Sequence, residues 1–240
     1  MTKVEVLLLV TLFILPSSSV TAQGLQSKLA QKVKAFDSES SSTVRQLIDF
    51  AQRFQIPMGI EWVDKSEESV APPVHARNTT AQHILQQIVQ AKHGNGFTLT
   101  GGVVHVFATS IINDRRNFLN LRVPSFQVKN ESLFGAEYLL RVSIHQVLNP
   151  SPGYGGGYGH GVPRSDTFDV RNVSFSINNA TVRQILNSIA ARQGNALWVV
   201  RIKPSQMMAN GRFYAQTISA TSKEAAPDFH WVFIPLKETK

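Results

Sequence analysis

Thr43-Val44-Arg45-Gln46-Leu47-Ile48-Asp49-Phe50-Ala51 sets a threonine in front of apolar residues at Val44, Leu47, Ile48 and Ala51. That is the i, i+3, i+4, i+7 spacing of one buried helix face, with a hydroxyl placed to accept a backbone N–H at the helix start. The pattern recurs at Thr80-Ala81 with Ile84, Leu85 and Ile88, and at Thr181-Val182 with Ile185, Leu186 and Ile189. The first and third copies both read Thr-Val-Arg-Gln and then a branched apolar pair. Each is followed by a short stretch that carries a tryptophan and reads as a strand, Met58-Gly59-Ile60-Glu61-Trp62-Val63 and Ala196-Leu197-Trp198-Val199-Val200. The repeating unit is therefore a helix followed by a strand, and the matched tryptophans, Trp62 and Trp198, are expected in the core.

Working outward, a short strand is expected at Val33 to Phe36 and another between the Met58 to Val63 strand and the helix that starts at Thr80. A hairpin is expected from Phe97-Thr98-Leu99 and Val103-Val104-His105-Val106-Phe107, because Gly101-Gly102 can supply the positive φ of a tight turn. Residues 33–113 then read as β-α-β-β-α-β-β, a single sheet with two helices on one face. In residues 114–240, strands are expected at Leu121 to Val128, Val173 to Ile177, Phe213 to Ile218 and Trp231 to Ile234, and helices at Ser132 to Val147 and from Thr181. A glycine-rich insertion occupies 150–162. The fold class expected is α/β (α+β): two small modules, each with short mixed sheets packed against two helices.

The start of the chain has the layout of an export signal over residues 1–22. Lys3 is followed by an apolar run from Val6 to Leu15, a Pro16-Ser17-Ser18-Ser19 break and the small-residue site Val20-Thr21-Ala22. The run is too short for the ~20 apolar residues that cross a bilayer. Residues 23–32 are polar and read as a tether. Four Asn-x-Ser/Thr triplets, at Asn78, Asn130, Asn172 and Asn179, read as chance matches unless the chain passes through a eukaryotic secretory pathway.

The 240 residues contain no cysteine, which excludes disulfides, thiolate metal sites and cysteine nucleophiles. An exported chain without them must hold together by packing. The net charge of +8 is uneven: residues 114–240 carry 15 basic and 8 acidic side chains, against 8 and 7 in residues 23–113. The excess positive charge thus belongs almost entirely to the second half. Its arginines and lysines group as Arg115, Arg116 and Arg122, and as Arg201, Lys203 and Arg212. No aromatic ribonucleoprotein motif or Gly-x-x-Gly clamp accompanies them, so nucleic acid is not the expected partner.

No motif points to catalysis. The seven histidines include no i, i+4 pair for a metal, there is no Gly-x-Ser-x-Gly elbow, and no carboxylate pair stands out. No catalytic residue, metal or cofactor is expected. Gly153-Tyr154-Gly155-Gly156-Gly157-Tyr158-Gly159-His160-Gly161 lacks the Gly-Lys-Ser/Thr that closes a phosphate loop. It reads as a flexible insertion, or as a contact surface offered by Tyr154, Tyr158 and His160. With Arg201, Lys203 and Arg212 these make up the expected interaction surface.

Thr43 to Ile48, the strand at Met58 to Val63, Val74-His75-Ala76-Arg77-Asn78-Thr79-Thr80, Ile84 to Ile88 and the hairpin Phe97 to Phe107 together resemble the short N-terminal domain of secretins and TonB-dependent receptors. Asn172 to Val200 is similar to half of a second copy. The resemblance implies a small periplasmic α/β module that contacts other envelope proteins. No pore, plug or barrel segment is recognised after it here, so only the interaction role carries over. The function expected is an exported, non-enzymatic interaction module with envelope proteins as partners. One alternative is a binder of anionic envelope polymer or lipid headgroups through the basic half. Another is a hydrolase assembled from distant residues, with His145, His160 or His230 as general base.

Overall fold

A computed structural model describes residues 19–63, 71–91, 94–148, 171–194, 196–207, 213–216 and 232–236. In chain order the elements are α1 (Ser19–Ala30), β1 (Lys32–Ser38), α2 (Thr43–Phe54), β2 (Met58–Val63), β3 (Val74–Thr80), α3 (Ala81–Gln90), β4 (Asn95–Thr100) and β5 (Val103–Ala108). After a 3-10 turn at Phe118–Asn120 come β6 (Arg122–Glu131), α4 (Leu133–Leu148), β7 (Val173–Thr181), α5 (Val182–Gln193), β8 (Ala196–Met207), β9 (Phe213–Gln216) and β10 (Val232–Pro235). The chain is α/β, with three helices from the first half and two from the second packed against short sheets.

The sheets are not divided between the halves as the sequence suggests. A central sheet runs in the order β10-β8-β2-β5-β4, with β9 also paired to β8, so strands from both halves lie side by side. β2 is parallel to β5 on one side and to β8 on the other. The strands read as repeats of each other, β2 and β8, are thus direct neighbours, with Met58 opposite Leu197 and Gly59 opposite Trp198. Strands β1 and β3 leave the expected single sheet of the first half and pair antiparallel with each other. β6 and β7 do the same in the second half.

Alternation along the central strands feeds a separate core on each face. Met58, Ile60, Trp62, Val104, Val106, Leu197 and Val199 join the core built with α1, α2 and α3. Val63, Val103, Trp198, Val200 and Ile202 join the core built with α4 and α5. Trp62 and Trp198 are both core residues, as expected, but on opposite faces. All six residues of β2 are buried, as a strand covered on both faces requires.

On the first face, α2 buries Val44, Leu47, Ile48, Ala51 and Phe54. Phe36 of β1 closes on Phe50 and Phe54, with ring centroids 6.2 and 5.8 Å away. The N-cap of α2 is Ser42 rather than Thr43: its side chain accepts the Arg45 N–H, and Thr43 occupies the first helical turn. The expected polar tether at 23–32 is helical through Ala30. Leu25 and Leu29, four residues apart, are buried in the first core, and two leucines are enough to dock a short polar helix.

Three of the four Asn-x-Ser/Thr triplets have a backbone explanation. Asn78, Asn130 and Asn179 adopt positive φ of 50, 55 and 49°, a region that asparagine tolerates better than most residues. Two residues later, Thr80, Ser132 and Thr181 accept the N–H of His83, Gly135 and Gln184 at 3.2, 3.1 and 3.2 Å. Each triplet turns a strand directly into a helix, and this local backbone device accounts for its residue pattern. By this device α5 corresponds to α3, although its sequence is nearer to α2.

On α4, Glu137 accepts from Arg141 at 2.7 Å, yet burial pushes its carboxyl above the ordinary 4.5, against the pull of that arginine. A raised folded-state value means that the folded chain holds this proton more tightly than the unfolded chain does. The associated stability is complete below the unfolded value and lost as pH rises through the folded one. Glu137→Gln is expected to abolish that loss. Urea unfolding at about pH 4 and about pH 7 should show wild-type stability falling relative to the variant at the higher pH.

Candidate functional site

β4 is the outermost strand at one end of the central sheet. Its sequence, Asn-Gly-Phe-Thr-Leu-Thr, contains neither charge nor proline. The residues that commonly discourage pairing at an open edge are therefore missing from it. Thr109 N–H donates to Gly94 C=O at 2.8 Å, which fixes the phase of the antiparallel ladder with β5. Gly96, Thr98 and Thr100 bond inward to Phe107, His105 and Val103, and the N–H and C=O groups of Asn95, Phe97 and Leu99 point outward. These outward groups have no partner among the described residues. Leu99 is 43% exposed, one of two large apolar side chains so exposed among the described residues, and Phe97 beside it is half-buried. Gly101 and Gly102, both at positive φ, make the two-residue turn that holds β4 in register.

The edges of the two small sheets differ. β1 carries Lys32, Lys34 and Asp37, β3 carries His75 and Arg77, and β6 carries Pro124 and Lys129. β7 is uncharged, but its outward groups near Thr181 are occupied. Arg122 donates to Asn179 C=O at 2.6 Å and the Gln184 side chain accepts the Thr181 N–H at 2.8 Å.

A buried polar cluster ties the halves together behind this edge. Glu61, fully buried on β2, accepts from Arg183 of α5 at 2.9 and 3.0 Å. Its other oxygen accepts from Asn117 Nδ2. Arg183 also donates to Asn120 Oδ1 and, at 3.3 Å, to Ile112 C=O. Asn120 holds Ile112 and Asp114 carbonyls at 2.9 and 2.8 Å, so the segment that crosses between the halves is pinned by asparagines. His105 Nε2 lies 3.5 Å from Glu61 and its ring packs between Phe107 and Trp198. Glu61, Asn117 and His105 are buried while Arg183 and Asn120 are partly exposed, and the geometry serves to clamp α5 onto the sheet.

An open cleft of about 300 Å³ lies between the β4–β5 turn and the β7–α5 junction, lined by Thr100, Arg122, Asn178, Gln184, Asn187 and Ser188 among others. Asn187 Oδ1 accepts the Trp198 indole N–H at 2.9 Å, which connects the floor of this cleft to the second core.

Of the residues expected to form an interaction surface, Tyr154, Tyr158, His160 and Arg212 lie outside the described residues. Arg201 and Lys203 sit two apart on β8, opposite Gln216 and Tyr214 of β9. Arg201 is partly buried there and is not part of the β4 edge. In the other basic group, Arg116 is bound to Asp114 at 2.7 Å, which holds the Asp114 carboxyl below its usual range. His145 is on α4, while His160 and His230 lie outside the described residues. Among the described residues no three His, Asp or Glu side chains gather as metal ligands, and no helix is long and apolar enough to cross a membrane.

The sequence held traces of what it did not yield directly. Glu61 interrupts an otherwise apolar buried strand and His105 interrupts Val-Val-x-Val-Phe, but neither names its partner. The cleft draws on four separate segments, so no contiguous motif marks it. Compared with protein-family models, curated proteins and solved structures, the chain matches none.

Proposed function

We propose that this chain is a non-enzymatic interaction module of the bacterial envelope that takes an extended segment of a partner protein onto the outer edge of β4. The observation that carries this reading is the row of outward N–H and C=O groups at Asn95, Phe97 and Leu99 on an uncharged strand. A partner strand would satisfy these groups and extend the central sheet, while Leu99 and Phe97 give its side chains an apolar contact. The export-like start and the resemblance to the short N-terminal domain of secretins and TonB-dependent receptors support the envelope as the compartment.

Leu99→Lys tests the reading. Leu99 is exposed, so a charge there leaves the core intact and places a lysine where natural edges carry one. The immobilised wild-type chain should retain an envelope protein that the variant retains at least ~10-fold less well, the loss of about one good interfacial hydrogen bond and its apolar contact. Equal retention by a variant with an unchanged melting curve would overturn the β4 assignment.

A further inference from the structure

The cleft beside the β7–α5 junction presents several side-chain hydrogen-bond donors. Asn187 is 6% exposed. The Trp198 indole can only donate, so Asn187 must turn Oδ1 toward it and leave its NH2 group as the free end. Gln184 is fixed in the same sense, because its Oε1 accepts the Thr181 backbone N–H in the capping box of α5. Neither amide nitrogen has a partner among the described residues. Arg122 spends Nη1 on Asn179 C=O and has further guanidinium N–H groups to offer. No aspartate or glutamate lines the cleft.

We propose that this cleft binds the carboxylate of a small acyl amino acid-sized ligand. Two fixed neutral amides and one guanidinium supply several donors and a single positive charge, which suits a planar monoanion. Arginine pairs bidentately with such a group. Phosphate, which draws its binding from multiple cations or a run of backbone N–H groups, is less well matched. The volume of about 300 Å³ is at the small end of ligand sites, and half-buried Ile177 gives a short apolar side chain a surface. This site borders the end of β4 at Thr100 but uses none of the outward backbone groups of Asn95, Phe97 and Leu99, so it stands whether or not a strand docks there.

Titration of the whole chain with N-acetylalanine, followed through the side-chain amide signals of Asn and Gln by NMR, tests the assignment. The Asn187 and Gln184 NH2 signals should shift and saturate, while N-acetylalaninamide, equal in shape but neutral, leaves them unmoved. Gln184→Glu keeps the capping box, since glutamate serves equally at that position, but exchanges a donor for a negative charge. It should weaken binding by at least ~10-fold, as should Arg122→Gln, the scale of a lost charge-assisted hydrogen bond. Three results would each overturn the proposal: equal responses to acid and amide, tighter binding of inorganic phosphate, or unchanged affinity in both variants.

Discussion

Glu61→Ala is expected to destabilise the chain by about 3–5 kcal/mol, the range measured when one partner of a buried ion pair is removed. That is a large part of the ~5–15 kcal/mol that holds a typical domain together. The Glu61 side chain is fully buried and that of Arg183 is 13% exposed. Without the carboxylate the guanidinium keeps only Asn120 Oδ1 and Ile112 C=O, neither of which carries a compensating charge. Asn117 Nδ2 loses its closest acceptor as well. The double variant Glu61→Met, Arg183→Met should recover most of the loss, because replacing both charges by apolar side chains of similar volume removes the desolvation cost with the attraction. Urea unfolding of the three chains measures this. A single-variant loss below ~1 kcal/mol, the scale of a solvated surface pair, would contradict the clamp.

Gly59→Ala and Trp198→Ala are expected to destabilise the chain through one shared contact. Gly59 lies opposite Trp198 in the β2–β8 register, and the indole lies so close over it that an added Cβ would meet ring carbons at 2.4 and 2.5 Å. Glycine is required there for this approach rather than for its torsion angles. Gly59→Ala should therefore cost about 1–3 kcal/mol by overpacking. Trp198→Ala should cost about 3–5 kcal/mol for the lost volume, and it also strands Asn187 Oδ1. In the double variant the methyl enters space the indole has left, so the total should fall short of the sum. Strict additivity by thermal or urea unfolding would show that the two residues do not touch.

Much of the element order is legible in the sequence because periodicity and turn chemistry are local. The order β-α-β-β-α-β-β over residues 33–113 stands, as do β6, α4, β7, α5 and β8 near their expected places. Boundaries drift where apolar spacing says nothing: β7 continues past Ile177 to Thr181 on polar Asn178 and Asn179, and β8 runs on to Met207. α1 gives little periodic signal because Leu25 and Leu29 are its only leucines in a polar stretch.

What the sequence could not supply was partnership. A period of two tells which face of β2 is apolar but not that its neighbour is β8, some 130 residues away, and the resemblance of the two strands suggested separate copies. One clue pointed the other way: Met58 to Val63 does not alternate cleanly, and a continuous buried run is the mark of a strand with helices on both faces. The β4 edge was equally hidden, since being outermost depends on the order of the whole sheet. The interaction surface drawn from aromatic and basic residues followed composition, whereas the open edge follows from backbone geometry.

Amide hydrogen exchange by NMR at β4, in the isolated chain and in complex with the envelope protein it retains, tests the central claim most directly. Gly96 and Thr98 N–H groups should exchange slowly in both states. Those of Phe97 and Leu99 should exchange fast in the isolated chain and become protected in the complex. If Phe97 and Leu99 stay fast in the complex while amides elsewhere gain protection, the partner does not bind the β4 edge and the account is wrong.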